Sequence, residues 1–227
     1  SAASDVYKRQ FICSQETGNR IVVDGGKILA GANINIYLNN VNINTTAGPA
    51  LRINKNVKAI VTIYLTGTNN LITKNNWYAG LQKDNFDGSL IITKDPDATA
   101  GILNARSIDG DGAGIGGGYQ GSGSCSNIII DSCSVIASST YGAGIGGSSR
   151  GGESYGRNIT IDGCSVFARS KYGAGIGGSN GGSGYNIIIN GGSVTASSES
   201  GAGIGGGEGG SGEKITINGS SVTASSD

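Results

Sequence analysis

The chain has 227 residues, of which 43 are glycine and only 2 proline, with 16 basic and 16 acidic side chains, no histidine and no methionine. Balanced charge gives no electrostatic case for nucleic acid or an anionic membrane, and no stretch reaches the roughly 18 apolar residues of a membrane span. The lack of histidine removes the commonest general base and metal ligand, and the absence of a G-X-Y period excludes collagen.

Ser1–Gln10 reads SAASDVYKRQ and matches, at all ten positions, a translation of the adapter used in transposase-based sequencing libraries. It is set aside from the fold argument as extraneous, adapter-derived sequence. Without Asp5, Lys8 and Arg9 the chain has 14 basic and 15 acidic residues. Phe11–Arg20 shows no strong pattern. Ile21-Val22-Val23 reads as a strand followed by a turn at Asp24-Gly25-Gly26. Ile34–Leu38 and Val41–Asn44 alternate apolar with polar residues, so one face points in and one out. Leu51-Arg52-Ile53, Val61–Leu65, Leu71-Ile72, Ala79-Gly80-Leu81, Leu90–Ile92 and Ile102-Leu103 continue the scheme.

The phrase Gly-Ala-Gly-Ile-Gly-Gly then begins at Gly112, Gly142, Gly173 and Gly201, at intervals of 30, 31 and 28 residues. A repeat of this period signals a stacked, quasi-one-dimensional fold. Leu51, Leu81, Ile115, Ile145, Ile176 and Ile204 fall in one column, and Asp131, Asp162, Asn190 and Asn218 in another. Glycine density, β-branched runs and two-residue alternation oppose helices. The expectation is an all-β, right-handed, single-stranded parallel β-helix of about six to seven coils, three short strands per coil, forming a rod roughly 30 Å long and uncapped at both ends. Residues 11–110 read as irregular N-terminal coils and 111–227 as regular glycine-rich repeats of the same domain. In A-G-I-G the alanine and isoleucine are expected to face in and the glycines out, leaving one side of the rod flat and bare. The Asp/Asn column is expected at the bends, in left-handed geometry. A chain with no start residue and no visible cap reads as a piece of a longer one.

The phrases AGIGGG, NITIDG and GGSVTA, preceded by VTIYLTGTNNLIT and YAGLQ, resemble the repeats of secreted bacterial surface proteins described as carbohydrate-binding domain-containing, within the broad pectate-lyase-like β-helix class. The resemblance runs from about Ile21 to the end. It implies the repeat architecture, a secreted or cell-surface location, and a polysaccharide or surface-glycan partner. Calcium and acidic polysaccharides are bound in related proteins, but no such site maps onto a motif here.

Candidate sites follow from the residues themselves. The column before the glycine phrase reads Trp77, Asp111, Tyr141, Tyr172, Ser200, and its aromatics suit sugar rings because they pair apolar area with a polar handle. Loops after the phrase add Tyr119, Arg150, Glu153, Tyr155, Arg157 and Tyr185. Asp84, Asp87, Asp95, Asp97, Asp109 and Asp111 form the one dense acidic region. Of these, Asp84, Asp87, Asp109 and Asp111 are the calcium candidates. Cys133 and Cys164 occupy equivalent places in neighbouring coils, within disulfide reach or as stacked thiols, and Cys125 across the loop is another partner for Cys133. No C-x-x-C is present, so zinc is not expected. Stacked Asp131 and Asp162 would lie about 5 Å apart, but the pair follows the repeat and reads as turn chemistry. The function expected is a non-catalytic carbohydrate-binding or adhesion module with no required cofactor. The alternatives are a structural β-helix stalk and, third, a fragment of a polysaccharide lyase or glycosidase.

Overall fold

A computed structural model describes residues 6–25, 30–84, 87–119, 123–149 and 154–227. Among the described residues there is no helix, and 21 strands wind through about seven turns. β1 (Val6–Ile12) precedes the first full turn, which lays down β2 (Ile21–Val23), β3 (Asn33–Asn39) and β4 (Asn42–Thr45) on three successive faces. In the second turn β5 (Leu51–Ile53) is followed by the 14-residue β6 (Ile60–Thr73), which covers two faces in one strand and bends at Gly67. β7 (Leu81–Lys83), β8 (Ser89–Lys94) and β9 (Gly101–Ser107) make the third turn. The fourth is β10 (Ile115–Gly116), β11 (Cys125–Asp131) and β12 (Ser134–Ser138), and the fifth β13 (Ile145–Gly146), β14 (Gly156–Asp162) and β15 (Ser165–Ser170). β16 (Ile176–Gly177), β17 (Gly184–Asn190) and β18 (Ser193–Ser198) follow, then β19 (Ile204–Gly205), β20 (Gly212–Asn218) and β21 (Ser221–Ser226).

Every strand pairing is parallel, and each strand bonds to its equivalents one turn before and after. This is the parallel β-helix expected from the repeat. The register of the first face is Ile21, Leu51, Leu81, Ile115, Ile145, Ile176, Ile204, so the expected column holds and extends one turn further towards the N-terminus. Pairing runs unbroken from the irregular coils into the regular ones, through β7–β10, β8–β11 and β9–β12. Val6–Gln10 of the adapter-like segment lie in β1, in register with Asn33–Tyr37 of β3.

Alternation decides what goes inside. On the second face Val61, Leu90, Ile128, Ile159 and Ile187 stack in one inward column and Ile63, Ile92, Ile130, Ile161 and Ile189 in the next, all essentially inaccessible to water. On the third, Leu103, Val135, Val166 and Val194 run beside Ala105, Ala137, Ala168 and Ala196. Each fully buried branched side chain contributes about 1.5–3 kcal/mol, and identical neighbours pack at a constant spacing.

Two expectations about the corners are corrected. The glycines of the repeated phrase do not form a bare outer face: residues 112–118, 142–148 and 173–179 are buried. The phrase curls back on itself, the alanine N–H bonding the glycine carbonyl four residues on (Ala143 to Gly147, 2.8 Å; Ala174 to Gly178, 2.8 Å), and successive curls stack backbone on backbone. A Cβ at Gly146 would fall 1.9 Å from the Gly177 carbonyl oxygen, so glycine there is required by close approach. The second correction concerns Asp131, Asp162, Asn190 and Asn218, which remain in strand pairing. Left-handed geometry falls one residue later, at Ser132, Gly163, Gly191 and Gly219, and at a separate column, Asn127, Asn158 and Asn186. The amide of Asn158 donates to Asn127 at 3.0 Å and that of Asn186 to Asn158 at 2.9 Å, forming a ladder along the rod.

Candidate functional site

The corner between the third face and the glycine phrase is built on a hydroxyl that is buried in every such turn but that of Ser139, where it is half-buried. Thr45, Thr73, Ser107, Ser139, Ser170 and Ser198 repeat at the same register position. Ser139 donates to the Gly112 carbonyl at 2.6 Å, Ser170 to Gly142 at 2.7 Å and Ser198 to Gly173 at 2.6 Å. Ser170 and Ser198 also accept the N–H of Gly173 and Gly201. Each hydroxyl thus closes a turn whose backbone groups would otherwise be buried unpaired.

The corner residue that follows is clamped through its carbonyl. Trp77 accepts the N–H of Tyr119 at 2.7 Å, Asp111 that of Ser149 at 2.8 Å, Tyr141 that of Asn180 at 3.1 Å, and Tyr172 that of Glu208 at 2.9 Å. With the backbone held from outside and inside, these side chains project along one edge of the rod. Trp77 meets Tyr119 from the next turn, centroids 4.9 Å apart and rings tilted 51°. Tyr119 also meets Tyr78 edge-on at 6.1 Å. Tyr141 and Tyr172 stack at 5.0 Å, nearly parallel. The column has Asp111 where an aromatic would continue it, and Tyr119 supplies the ring at that level. Four consecutive turns therefore present Trp77, Tyr119, Tyr141 and Tyr172. The first three are 44%, 40% and 42% exposed, and Tyr172 is half-buried. Side chains of this size left this open on a stacked edge form a ready contact surface.

Tyr155 and Tyr185 are not part of this row. They lie together in another groove with Arg157, Ser183 and Glu213. The Arg157 guanidinium is 4.8 Å from the Tyr155 ring centre, and Lys214 lies over Tyr185 and bonds its hydroxyl. Arg150 and Glu153 lie outside the described residues. A further pair, Tyr37 and Tyr64, stacks at 4.7 Å on the second face. Both residues lie in strands the sequence marks, and their equivalence shows only when β3 and β6 are aligned residue by residue.

The acidic candidates do not converge. Asp84 is buried and bonded to Arg52 Nε at 2.6 Å and to Gln82 Nε2 at 2.6 Å. Burial raises its pKa, against the pull of Gln82 and Arg52. Asp87 faces Lys58 at 3.4 Å in solvent. Asp109 takes a left-handed turn position, and Asp111 accepts the Ser149 hydroxyl at 2.7 Å. Among the described residues no three His, Cys, Asp or Glu side chains gather as they would around a metal. Asp131 and Asp162 are register partners in neighbouring turns, with Ser132 donating to Asp131 at 2.7 Å.

Cys133 and Cys164 are neighbours in consecutive turns, as expected, but both are thiols and not a disulfide. Cys164 Sγ donates to the Asp162 carbonyl at 3.0 Å. The interaction between the two thiols holds Cys164 below the ordinary thiol pKa and pushes Cys133 well above it. Cys125 does not join them and is fully buried near Lys83, its pKa pushed up to about 11 by desolvation. Lys83 is itself 1% exposed, in the inward position that Val23 and Ile53 fill in the two turns before it. Burial lowers its pKa, opposed by Cys125 and Asp87.

A family model described as "Beta helix repeat" matches residues 187–208, which run from within β17 through β18 and the last glycine phrase. The chain is a β-helix repeat protein. No curated protein and no solved structure matches it significantly. No helix among the described residues of this β-helix protein is long and apolar enough to cross a membrane.

Proposed function

We propose that this β-helix protein is a non-catalytic carbohydrate-binding or adhesion module of a secreted or cell-surface protein, and that its contact surface is the edge carrying Trp77, Tyr119, Tyr141 and Tyr172. The observation that carries the reading is the exposure of one aromatic ring per turn over four turns, each on a backbone fixed by hydrogen bonds. Turns repeat about every 4.8 Å, close to the length of one sugar ring along an extended glycan. A rigid row of rings loses little entropy on binding. Retention of the chain on a panel of insoluble and soluble polysaccharides tests the reading. Trp77→Ala and Tyr141→Ala should each weaken retention about tenfold, or 1.4 kcal/mol, with folding intact by circular dichroism. Chelator should leave retention unchanged.

A structural stalk is the second reading. It is favoured by the backbone-on-backbone stacking of the glycine phrases and by the Asn127–Asn158–Asn186 ladder, which tie each turn to the next along the rod. A folded chain retained by no glycan would leave the stalk as the better account.

A further inference from the structure

The bend that leads into the third face carries one residue per turn in a single register: Gly67, Gly101, Cys133, Cys164, Gly192 and Ser220. Glycine is the commonest occupant, and the fourth and fifth turns place two thiols there, one above the other. Backbone bonds fix these two turns against each other at the bend. The Ser132 N–H donates to the Asp162 carbonyl at 3.1 Å, and the Ser165 N–H to the Cys133 carbonyl at 3.2 Å. Cys133 and Cys164 are 7% and 2% exposed, behind the exposed bend residues Ser132 and Gly163. The Cys164 thiol donates to the Asp162 carbonyl at 3.0 Å, and that of Cys133 makes a longer contact, 3.6 Å, to the Ile92 carbonyl. At the same register position Ser220 donates to the Gly191 carbonyl at 2.9 Å, so the bend takes a hydroxyl as well as a thiol.

Equivalent residues of successive turns lie about 4.8 Å apart, and side chains leaving parallel strands at one register position keep that spacing. A disulfide wants its Cβ atoms about 3.8 Å apart, so closing one would pull the two turns together. Two thiolates bound in line to one ion need no such movement. A metal–thiolate bond is about 2.3 Å, and two end to end span about 4.6 Å. We infer that Cys133 and Cys164 form a two-coordinate site for a soft, thiol-seeking divalent ion of the mercuric class, which bridges the fourth turn to the fifth. Thiolates select soft ions over hard ones, and this geometry asks for no third ligand. Each thiol gives its proton to solvent and an electron pair to the ion, so two thiols and one divalent cation yield a neutral bis-thiolate and two protons. The interaction with Cys133 holds Cys164 below the ordinary thiol pKa, which makes its sulfur the first to bind. The Asp131 charge acts on both thiols, and it favours a neutral product over the anionic one that a monovalent ion would leave. The site is separate from the aromatic edge and stands whether or not that edge takes a glycan.

Titration of the reduced full chain with mercuric chloride, in the presence of excess free cysteine, tests the inference. The paired thiols act as a chelate, so the parent should retain one ion per chain through gel filtration, while binding at Cys13 or Cys125 alone is competed away. X-ray absorption of the retained ion should show two sulfurs at about 2.3 Å. Cys133→Ser and Cys164→Ser should each weaken retention by at least about a hundredfold with folding intact by circular dichroism, and Cys13→Ser should leave it unchanged. Retention unaltered in either pair variant would overturn the site, as would a single sulfur in the absorption spectrum of the parent. Closure of the pair to a disulfide in air without metal, read as the loss of two hydrogens by mass, would overturn the spacing on which the inference stands.

Discussion

Lys83 is the residue at which the repeat is most plainly broken. Val23 and Ile53 put apolar side chains in its place, and Gly156 and Gly184 follow Cys125 in the facing column, so an amine and a thiol occupy a corner that other turns fill with hydrocarbon or backbone. Desolvation holds the Lys83 pKa below 10.5 in the fold. A group whose folded pKa is depressed in this way disfavours folding while it is protonated. The penalty is present in full below the folded pKa and disappears as pH rises to 10.5, where the unfolded chain also loses the proton. Lys83→Met should therefore raise the melting temperature at neutral pH, by the equivalent of roughly 1–4 kcal/mol. The gain should shrink as the pH approaches 10.5. Cys125 titrates in the same alkaline region and the Lys83 charge lowers its pKa, so the pair is compared in a Cys125→Ala background, where the difference between the two curves isolates Lys83. A variant less stable than the parent at every pH would mean that the buried ammonium makes bonds worth more than its desolvation.

At the scale of the strand and corner, the hydroxyl after each V-x-A strand is the device that lets a strand end and a glycine curl begin. Ser170 is 1% exposed, donates to the Gly142 carbonyl with a longer contact to the Thr140 carbonyl, and accepts the Gly173 N–H. Ser170→Ala leaves a buried acceptor and a buried donor unpaired, and should cost roughly 1–3 kcal/mol in urea denaturation. Ser197→Ala, on the outward side of the neighbouring strand, should change stability by less than about 0.5 kcal/mol. Equal effects would show that the hydroxyl ladder is incidental. The hydroxyl column is in view in the sequence, two residues beyond each aligned alanine, but a serine in a serine-rich loop carries no mark of burial. The isoleucine columns, by contrast, are legible because two-residue alternation and a fixed period leave them one place to go. Alternation extended through a phrase that curls instead of running straight puts its glycines on the wrong side. The left-handed positions fall one residue beyond the expected column for a related reason: side-chain type points to Asp and Asn, while the strand pairing holds those residues extended and passes the bend to the next.

Across the whole molecule, the fold follows from stacking and the candidate site from how stacks fail to repeat. The aromatic edge is visible in the sequence as a column but not as a row of four, since Tyr119 reaches the level of Asp111 from a loop after the glycine phrase, a placement set by its N–H to the Trp77 carbonyl. Nor does spacing separate Tyr155 and Tyr185 from that row, because both loops follow the same phrase in sequence yet reach a different groove. The same one-dimensional logic predicts how the chain opens. Each turn contacts its neighbours, so stability is a sum of turn and interface contributions, and a turn with one interface is held less firmly than a turn with two. Ile130 in the fourth turn is inaccessible and packs in register between Ile92 and Ile161 of the turns on either side. Ile130→Ala should therefore speed amide hydrogen exchange in β8, β11 and β14 by at least about tenfold, near 1.4 kcal/mol of local stability, and leave exchange in β17 within about threefold of the parent. An equal rise from β8 to β17 would mean that the turns open only together, and the nearest-neighbour description would then fail for this chain.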